Sequence, residues 1–347
     1  MQGGIAIARL SPLIIPIFIS HMGCPHRCMF CDQRQFSLPV PPGEIPGIVE
    51  RFLSFSSHVR ERTRLIAFYG GTFTGLDEDL MCEYLDVASS LRQSGVVHGM
   101  KVSTRPDMVT RKVLNMLSDA GCREVEIGVQ SMDDAVLFAS RRGHTRTQCI
   151  DAASLIHASG MQLGVQLMPG LPTEDRNSFI STIDAVVSLK PDTARVYPVV
   201  VIGDTGLETL YRQGRYTPLS LEEALLRALY ASLVLQDSGC RILRVGLPQS
   251  DSLNVVAGPY HPAFGSMVRA QGFRILAEHL LADRMLPVRL SVNPRDLPDL
   301  LGYRRKTVED LKFSYSFDET LPRGYMRIQD QGERACLQLR DIIEYIL

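Results

Sequence analysis

Three cysteines stand within eight residues of one another early in the chain, and their spacing constrains its chemistry more than any other feature. Cys24, Cys28 and Cys31 follow the pattern C-x3-C-x2-C, and Phe30 stands directly before the third cysteine. Clustered cysteines in an intracellular chain are more often metal ligands than disulfide partners. Because a 4Fe–4S cluster normally takes four cysteine ligands, three ligands would leave one iron open to a substrate.

Zinc is the alternative occupant of the same cysteines. A structural zinc site needs four ligands, usually as two separated Cys or Cys/His pairs, and His21 or His26 could complete it. The chain would then be an adaptor without catalysis. A lipoprotein signal is set aside, because Pro16 interrupts the apolar run before the cysteines and His21 and Met22 do not fit a processing site.

Composition narrows the class of protein. A length of 347 residues predicts about two domains, and 45% hydrophobic with 22% charged residues is typical of a globular chain. A net charge of −1 gives no overall attraction to nucleic acid, and we expect no DNA partner. No run approaches the roughly 18 apolar residues of a membrane span, so a cytoplasmic protein without a membrane partner is expected.

Short apolar strands alternate with amphipathic helices at a period near 30 residues. This alternation predicts parallel strands joined by helical crossovers. Pro16 in the first strand favours a strand end or an edge. The predicted strands lie near 13–19, 65–69, 100–104, 125–129, 162–168 and 193–201, and the main predicted helices near 44–57, 77–93, 133–141 and 146–159.

The pattern changes in the last third of the chain. A capping box at Ser220 opens a long helix that stops at Gly239. The later predicted elements are strands near 242–247, 288–292, 312–317 and 325–329 and helices near 264–282 and 297–312. We therefore expect a core domain over residues 1–240, then an extension and a small α+β domain over 241–347.

Glycines and polar residues follow several of the predicted strands. In parallel α/β folds ligands bind at the carboxyl ends of the strands, so these segments are expected to face one cavity. The segments are Gly70-Gly71-Thr72-Phe73, Ser103-Thr104-Arg105-Pro106-Asp107, Gln130-Ser131, Met168-Pro169-Gly170 and Tyr197. Each also has a plainer interpretation: a glycine pair can be only a turn, Ser103 to Asp107 can open a helix, and Met168 can be core.

The cysteine spacing with Phe30 resembles the hallmark of the radical S-adenosylmethionine (SAM) superfamily. This resemblance implies a partial (β/α)6 barrel in which the three cysteines hold a 4Fe–4S cluster, and the open iron chelates SAM. An electron donor of the flavodoxin or ferredoxin type would then drive cleavage of SAM to a radical that abstracts hydrogen from a substrate. The implied SAM-binding residues are Phe30, Gly70, Gly71, Thr72, Ser103, Arg105, Gln130, Ser131, Met168 and Tyr197. No catalytic acid or base stands out.

Further segments resemble the radical domain of the Elongator catalytic subunit, a family that modifies wobble uridines in transfer RNA. They include Glu126 to Ser131, Arg195-Val196-Tyr197-Pro198, Gly203 to Leu207 and Gly214-Arg215-Tyr216. That family spaces its first two cysteines more widely and carries an acetyltransferase domain. The hundred or so residues after position 240 are expected to be too short and wrongly patterned for one, so acetyl-coenzyme-A chemistry is not carried over.

Two basic clusters offer a surface for RNA. They are Arg141-Arg142-Gly143-His144-Thr145-Arg146 and Gly302-Tyr303-Arg304-Arg305-Lys306. Cations interleaved with an aromatic suit phosphate binding and base stacking, although such runs are also found on solvated helices. The preferred hypothesis is modification of a tRNA nucleoside. The alternative is a small metabolite, as in the oxygen-independent coproporphyrinogen oxidases.

Overall fold

The computed structural model describes residues 11–35, 37–56, 58–250, 252–282, 284, 287–302, 305–330 and 333–347. Two compact units divide the chain. The first runs to Gln166 and also includes Ser250–Asn254, and the second comprises Leu167–Gln249 and Val255–Leu347. The domain boundary expected near residue 240 stays a prediction.

The first unit alternates strands with helices, as the sequence predicts. Its elements are β1 (Leu13–Phe18), α1 (Ile45–Phe55), β2 (Arg64–Tyr69), α2 (Glu78–Gln93), β3 (Gly99–Thr104), α3 (Arg111–Asp119), β4 (Cys122–Gln130), α4 (Asp134–Ala139), α5 (Arg146–Ala158) and β5 (Gln162–Leu167). Strand β1 pairs with β2, β2 with β3 and β3 with β4, all in parallel. Parallel strands need crossovers, and the helices supply them.

The second unit begins with the same alternation and ends in a different architecture. Its elements are α6 (Arg176–Ser188), β6 (Thr193–Val196), β7 (Val201–Ile202), α7 (Gly206–Arg212), α8 (Leu221–Asp237), β8 (Arg241–Val245), β9 (Val255–Ala257), α9 (Phe264–Leu281), β10 (Arg289–Val292), α10 (Leu297–Leu301), α11 (Lys306–Leu311), β11 (Ser314–Phe317), β12 (Tyr325–Asp330) and β13 (Glu333–Gln338). The small α+β part predicted from the sequence corresponds to a four-stranded sheet in the order β11, β10, β12, β13.

The large sheet has seven strands in the order β1, β2, β3, β4, β5, β6, β8. Strand β1 lies at one end of this order, which explains how Pro16 is tolerated: a residue without an N–H group fits an edge strand. Central strands β2 and β3 are almost fully buried. This burial accounts for their continuous apolar runs.

Aromatic packing holds β2 against the following helix. The ring centroids of Phe68 and Phe73 lie 4.7 Å apart, and Phe68 meets Tyr84 edge-on at 5.6 Å. All three side chains are buried. Tyr84 also donates a hydrogen bond from its hydroxyl to the carbonyl of Val40, 2.7 Å away, so its polar end is satisfied. The packing fixes the position of the loop that starts at Gly70.

Two sequence predictions need correction in the second unit. The strand expected over 193–201 stops at Val196, next to Tyr197 and Pro198, and proline has no N–H group for a ladder. The helix expected over 297–312 is two helices, α10 and α11, because Gly302 adopts a φ of +68° and ends the first. No helix in the described ranges is both long enough and apolar enough to cross a membrane.

Candidate functional site

The cysteine loop follows β1 and is hydrogen-bonded to the turn that follows β2. The His21 N–H donates to the Gly70 carbonyl at 2.9 Å, and the Thr72 N–H donates to the Met22 carbonyl at 2.9 Å. A side chain at Gly71 would not fit, since its Cβ would lie 2.4 Å from the Ile19 carbonyl oxygen. The Gly70-Gly71-Thr72 turn therefore holds the cysteine loop in place through backbone hydrogen bonds and close packing.

The three cysteine thiols lie within electrostatic reach of one another. Burial raises the pKa of Cys24, and the Thr72 hydroxyl, 3.2 Å from Cys24 Sγ, opposes that shift. Burial raises the pKa of Cys31 to about 12, and the charges of Cys28 and Cys24 add to this increase. Like charges raise a thiol pKa only at short range. Binding of a positively charged metal centre would reverse the repulsion and release protons.

Arg142 is the functional residue that the sequence interpretation placed wrongly. It was assigned to a surface for RNA, but its side chain is buried. Its Nη1 donates to Cys28 Sγ at 3.1 Å, and its Nη2 donates to the Gly128 carbonyl at 2.8 Å. The guanidinium therefore places an N–H donor and a positive charge directly against the Cys28 sulfur. Its contact with Cys28 could not be recognised from the sequence, because the two residues are 114 positions apart.

His144, from the same basic cluster, is also buried. Its Nε2 lies 3.3 Å from the Val129 carbonyl. Burial lowers the pKa of His144 to about 3, and the charges of Arg142 and Arg105 lower it further. His144 is therefore neutral at pH 7 and cannot serve as a phosphate-binding cation. The second basic cluster, residues 302–306, includes Tyr303 and Arg304, which lie outside the described residues.

The β3 loop brings Arg105 toward the cysteines. Ser103 donates to Glu126 Oε1 at 2.7 Å. Arg105 is buried and makes two 3.0 Å hydrogen bonds to the Asp107 carboxylate. Burial raises the pKa of Cys24, and the positive charge of Arg105 opposes part of that rise. The segment also opens a helical turn, because Pro106 is the first residue of a short 3-10 helix, Pro106–Met108. The longer helix α3 begins later, at Arg111, with Thr110 as its cap.

The end of β4 carries a strained residue. Gln130 has a φ of +66° and is buried, and its Oε1 lies 3.5 Å from Gln166 Nε2. A non-glycine residue in the left-handed region costs free energy, and such strain is found most often at ligand sites. Ser131 beside it is fully buried, and Phe30 on the cysteine loop is buried as well. The role of these three residues as cofactor contacts stays a prediction.

Met168 and Tyr197 belong to the second unit. Met168 is buried. The Tyr197 N–H donates to the Leu167 carbonyl at 2.9 Å, which ties the segment after β6 to the end of β5. Their assignment to the adenine of SAM stays a prediction. All the other predicted site residues lie in the first unit, on its cysteine loop or at the carboxyl ends of β2, β3 and β4.

Neither histidine of the zinc alternative is poised as a ligand. His21 Nε2 accepts a hydrogen bond from the Gln33 N–H at 2.9 Å, and Asp32 Oδ1 lies 3.3 Å from the same nitrogen. The His26 ring packs against Gly143. Among the residues that the structure describes, no three His, Cys, Asp or Glu side chains are grouped to hold one metal ion. A cluster differs in this respect, because each cysteine binds a different iron atom.

Comparison with known protein families decides between these interpretations. Residues 18–186 match the model of the radical SAM superfamily, and residues 191–272 match that of the radical SAM C-terminal domain. The chain belongs to the radical SAM superfamily. The sequence-based identification is thereby confirmed, and the chain is a radical SAM enzyme. Members of the superfamily use a 4Fe–4S cluster and SAM.

Curated relatives narrow the similarity within the superfamily. A tRNA uridine(34) acetyltransferase from Methanocaldococcus jannaschii is 27% identical over 264 residues, which cover 64% of this chain and 49% of that protein. Elongator complex protein 3 of Mus musculus is 31% identical over 197 residues, covering 51% of this chain and 36% of that protein. This chain therefore matches about half the length of the archaeal relative and about a third of the length of the mouse relative.

A solved structure supports the fold. The Elp3 protein of Methanocaldococcus infernus, with its first 46 residues deleted, superposes with a TM-score of 0.57 at 19% identity. The superposition covers 80% of this chain and 71% of that one. The predicted class, a partial radical-SAM barrel with a small C-terminal α+β part, is confirmed.

The residues around the thiols fit a bound cluster and SAM. Arg142 Nε, His144 Nδ1 and Ser140 Oγ are buried, and within the described ranges none of these atoms has a hydrogen-bond partner. Buried polar atoms without partners are costly, and a bound polar ligand would supply the partner they need. All three belong to the segment whose Arg142 reaches Cys28. The protonated thiols supply the sulfur ligands once their protons leave.

Arg142 provides a test of this fit. Arg142→Met removes the N–H donor to Cys28 Sγ and leaves the Gly128 carbonyl unpaired. We expect the affinity for iron and the rate of SAM cleavage each to fall about 10- to 100-fold. This is the usual loss when a residue that hydrogen-bonds a metal ligand is replaced. Iron and acid-labile sulfide per chain are the measurements. The exposed neighbour Arg141→Met is the matched control. Equal iron retention in both variants would show that the Arg142 contact does not support the site.

Proposed function

We propose that this chain uses radical SAM chemistry to modify a uridine in transfer RNA. The observation that carries the proposal is the alignment with relatives named as tRNA uridine(34) acetyltransferases, which extends over 264 residues. The site geometry is consistent with SAM cleavage as a first step in common with these relatives. The cysteine loop, the Gly70-Gly71-Thr72 turn and the end of β4 all belong to one compact unit. A tRNA substrate also agrees with the cytoplasmic location expected from the sequence.

In this proposal Cys24, Cys28 and Cys31 hold the 4Fe–4S cluster. When bound, the cluster and SAM supply an electron-driven cleavage that yields a radical able to remove a substrate hydrogen. The chain's own residues orient and shield these groups. The Gly70 to Thr72 turn offers backbone polar groups and the Thr72 hydroxyl, and buried Arg105 and Arg142 place positive charge beside the sulfurs.

The remaining predicted residues are proposed to enclose SAM. Gln130 and Ser131 offer an amide and a hydroxyl at the end of β4, and both are buried from solvent. Ser103 is held by Glu126, which fixes the direction of its hydroxyl. Phe30 is buried and directly precedes Cys31 on the cysteine loop. Met168 and Tyr197 are proposed as walls for the adenine. Exclusion of water by these side chains protects the radical from side reactions.

The experiment is anaerobic reconstitution followed by addition of dithionite and SAM, with and without transfer RNA. We expect 5′-deoxyadenosine in both reactions, with a higher yield when unmodified tRNA is present, and a new modified uridine in the digested RNA. DNA of matched length controls for charge. Formation of 5′-deoxyadenosine that tRNA neither stimulates nor consumes, with no altered nucleoside, would overturn the tRNA substrate and favour a small metabolite.

A further inference from the structure

The carboxyl end of β4 closes in an unusual turn. The Ser131 N–H donates to the Val129 carbonyl at 2.8 Å, so this hydrogen bond encloses a single residue, Gln130. Gln130 has a φ of +66°. A bond of this span with a positive φ at its centre is a γ-turn of the rare, strained type. Because such strain persists only where surrounding contacts hold it, neighbouring side chains must stabilise this turn.

Two side chains from the loop after α4 hold the carbonyls of the turn. His144 Nε2 lies 3.3 Å from the Val129 carbonyl, which is the same oxygen that closes the turn. Because a carbonyl only accepts hydrogen bonds, Nε2 is the ring nitrogen that carries the proton. Arg142 Nη2 donates to the preceding carbonyl, that of Gly128, at 2.8 Å. The two consecutive carbonyls before Gln130 are thus both held from one loop.

The loop that carries both side chains is itself fixed at its two ends. Its Ser140 carbonyl accepts a hydrogen bond from the Met29 N–H at 3.1 Å, which ties it to the cysteine loop. At the other end, Thr145 is the N-cap of α5 and takes part in a capping box. His144 directly precedes this cap and is buried. The ring therefore has little freedom to leave the turn.

The turn decides where the Gln130 amide lies. A Cβ added at Gly128 would lie 2.8 Å from Gln130 Nε2 and 3.2 Å from Arg142 Nη2, so both nitrogens occupy the space over this glycine. The other terminal nitrogen of Arg142 donates to Cys28 Sγ at 3.1 Å. The Gln130 amide is thereby placed beside the guanidinium that contacts the cysteine. A return of Gln130 to negative φ would turn its Cα–Cβ bond and move the amide away.

We infer that His144 is a positioning residue: its ring holds the strained turn and so keeps the Gln130 amide beside the cysteine site, as a hydrogen-bond donor to bound SAM. The inference rests on the proposed SAM site. His144 acts through the backbone of β4, whereas Gln130 supplies the contact. The free energy that folding spends on the strained backbone is thus used to aim one side chain.

A purely structural role for His144 predicts a different behaviour. If the ring only filled space, its loss would lower stability by the same amount whichever residue stood at position 130. Glycine adopts a positive φ without strain, so a turn centred on glycine needs less support from the histidine. The entropy that glycine adds to the unfolded chain cancels in a double-mutant cycle. Energetic coupling between positions 144 and 130 is therefore the signature of positioning.

The first measurement is thermal unfolding of the metal-free chain. His144→Leu should lower the unfolding midpoint by roughly 2–4 °C, and should lower it by much less in the Gln130→Gly background. His144→Gln, which keeps an N–H donor at similar reach, should stay near the unaltered chain. The matched background is His58→Gly, because His58 is exposed, has a φ of +51° and lies in the same unit. There His144→Leu should have its full effect.

The second measurement is SAM affinity by equilibrium dialysis after anaerobic reconstitution. His144→Leu should weaken SAM binding about tenfold, as expected for one lost hydrogen bond. KM for SAM should rise while kcat changes little, because the contact is made in the ground state and the transition state alike. His144→Gln should restore both values, with iron per chain unchanged throughout. His157→Leu, at an exposed histidine of α5, is the control.

Equal losses of midpoint with and without Gln130→Gly would overturn the positioning role, and so would unchanged SAM affinity in His144→Leu. Loss of iron in His144→Leu would overturn it as well, because the histidine would then support the cysteines. Failure of the proposed function gives a different result: the unaltered chain would bind iron and SAM and leave tRNA unmodified, with the expected affinities intact. The unfolding cycle needs neither metal nor SAM, so it decides on the turn in every case.

Discussion

Replacing Cys28 with alanine should abolish 5′-deoxyadenosine formation while leaving the fold intact. The Cys28 thiol accepts a hydrogen bond from Arg142. The loop itself is fixed by the backbone bonds of His21 and Thr72 to the β2 turn. Loss of one of three cysteine ligands should exceed the roughly 10- to 100-fold effect of losing an outer partner, so we expect more than about a hundredfold loss of activity.

Iron content and thermal unfolding of Cys28→Ala should be measured together. The matched control is Cys336→Ala, because Cys336 is an exposed free cysteine in the other unit. Cys336→Ala should keep full iron and full activity. If Cys28→Ala bound as much iron as the control and formed 5′-deoxyadenosine at the same rate, the assignment of the cluster to this loop would be wrong.

Gly23→Ala should displace the cysteine loop and greatly reduce cluster binding. Gly23 has a φ of +69°, and an added Cβ would lie 2.2 Å from the Thr72 carbonyl oxygen and 2.8 Å from the Gly75 carbonyl carbon. All of these neighbours are backbone and cannot rotate away. The strain of a left-handed alanine and the overpacking together should cost roughly 2–5 kcal/mol in the free energy of unfolding.

Gly95→Ala separates the cost of backbone strain from the cost of overpacking. Gly95 has a φ of +73° but nothing within 4 Å of the position a Cβ would take. Its replacement should therefore cost only the backbone term, roughly 1 kcal/mol, with iron content unchanged. Chemical denaturation and iron analysis of both variants provide the comparison. Equal effects in the two would mean that the close approach of Gly23 to the β2 turn does not hold the cysteine loop in place.

The strand–helix alternation could be predicted from the sequence because it depends on local patterns. Burial of β2 and β3 on both faces gives the continuous apolar runs from which they were predicted. The site residues follow strand ends, and parallel strands bring their carboxyl ends together. Pro16 even indicated an edge strand correctly, because the missing N–H group restricts proline to such positions.

The burial of Arg142 and His144 could not be predicted in this way. Charged runs are usually solvated, and the exception here depends on a sulfur and a carbonyl that the fold brings from distant parts of the chain. The break of the 297–312 helix depends on the backbone conformation of Gly302, which a helical periodicity does not specify. Sequence patterns report local preference, whereas these features arise from tertiary contacts.

The raised pKa values of Cys24 and Cys31 also bear on the lifetime of the protein before it acquires metal. A thiol reacts with oxidants mainly as its thiolate, and a raised pKa keeps that form scarce at neutral pH. Cys24 and Cys31 are then slow to enter the series of sulfenic, sulfinic and sulfonic acids, of which the last steps are irreversible. Burial that makes these cysteines poor nucleophiles thus preserves them, chemically intact, until iron and sulfide arrive.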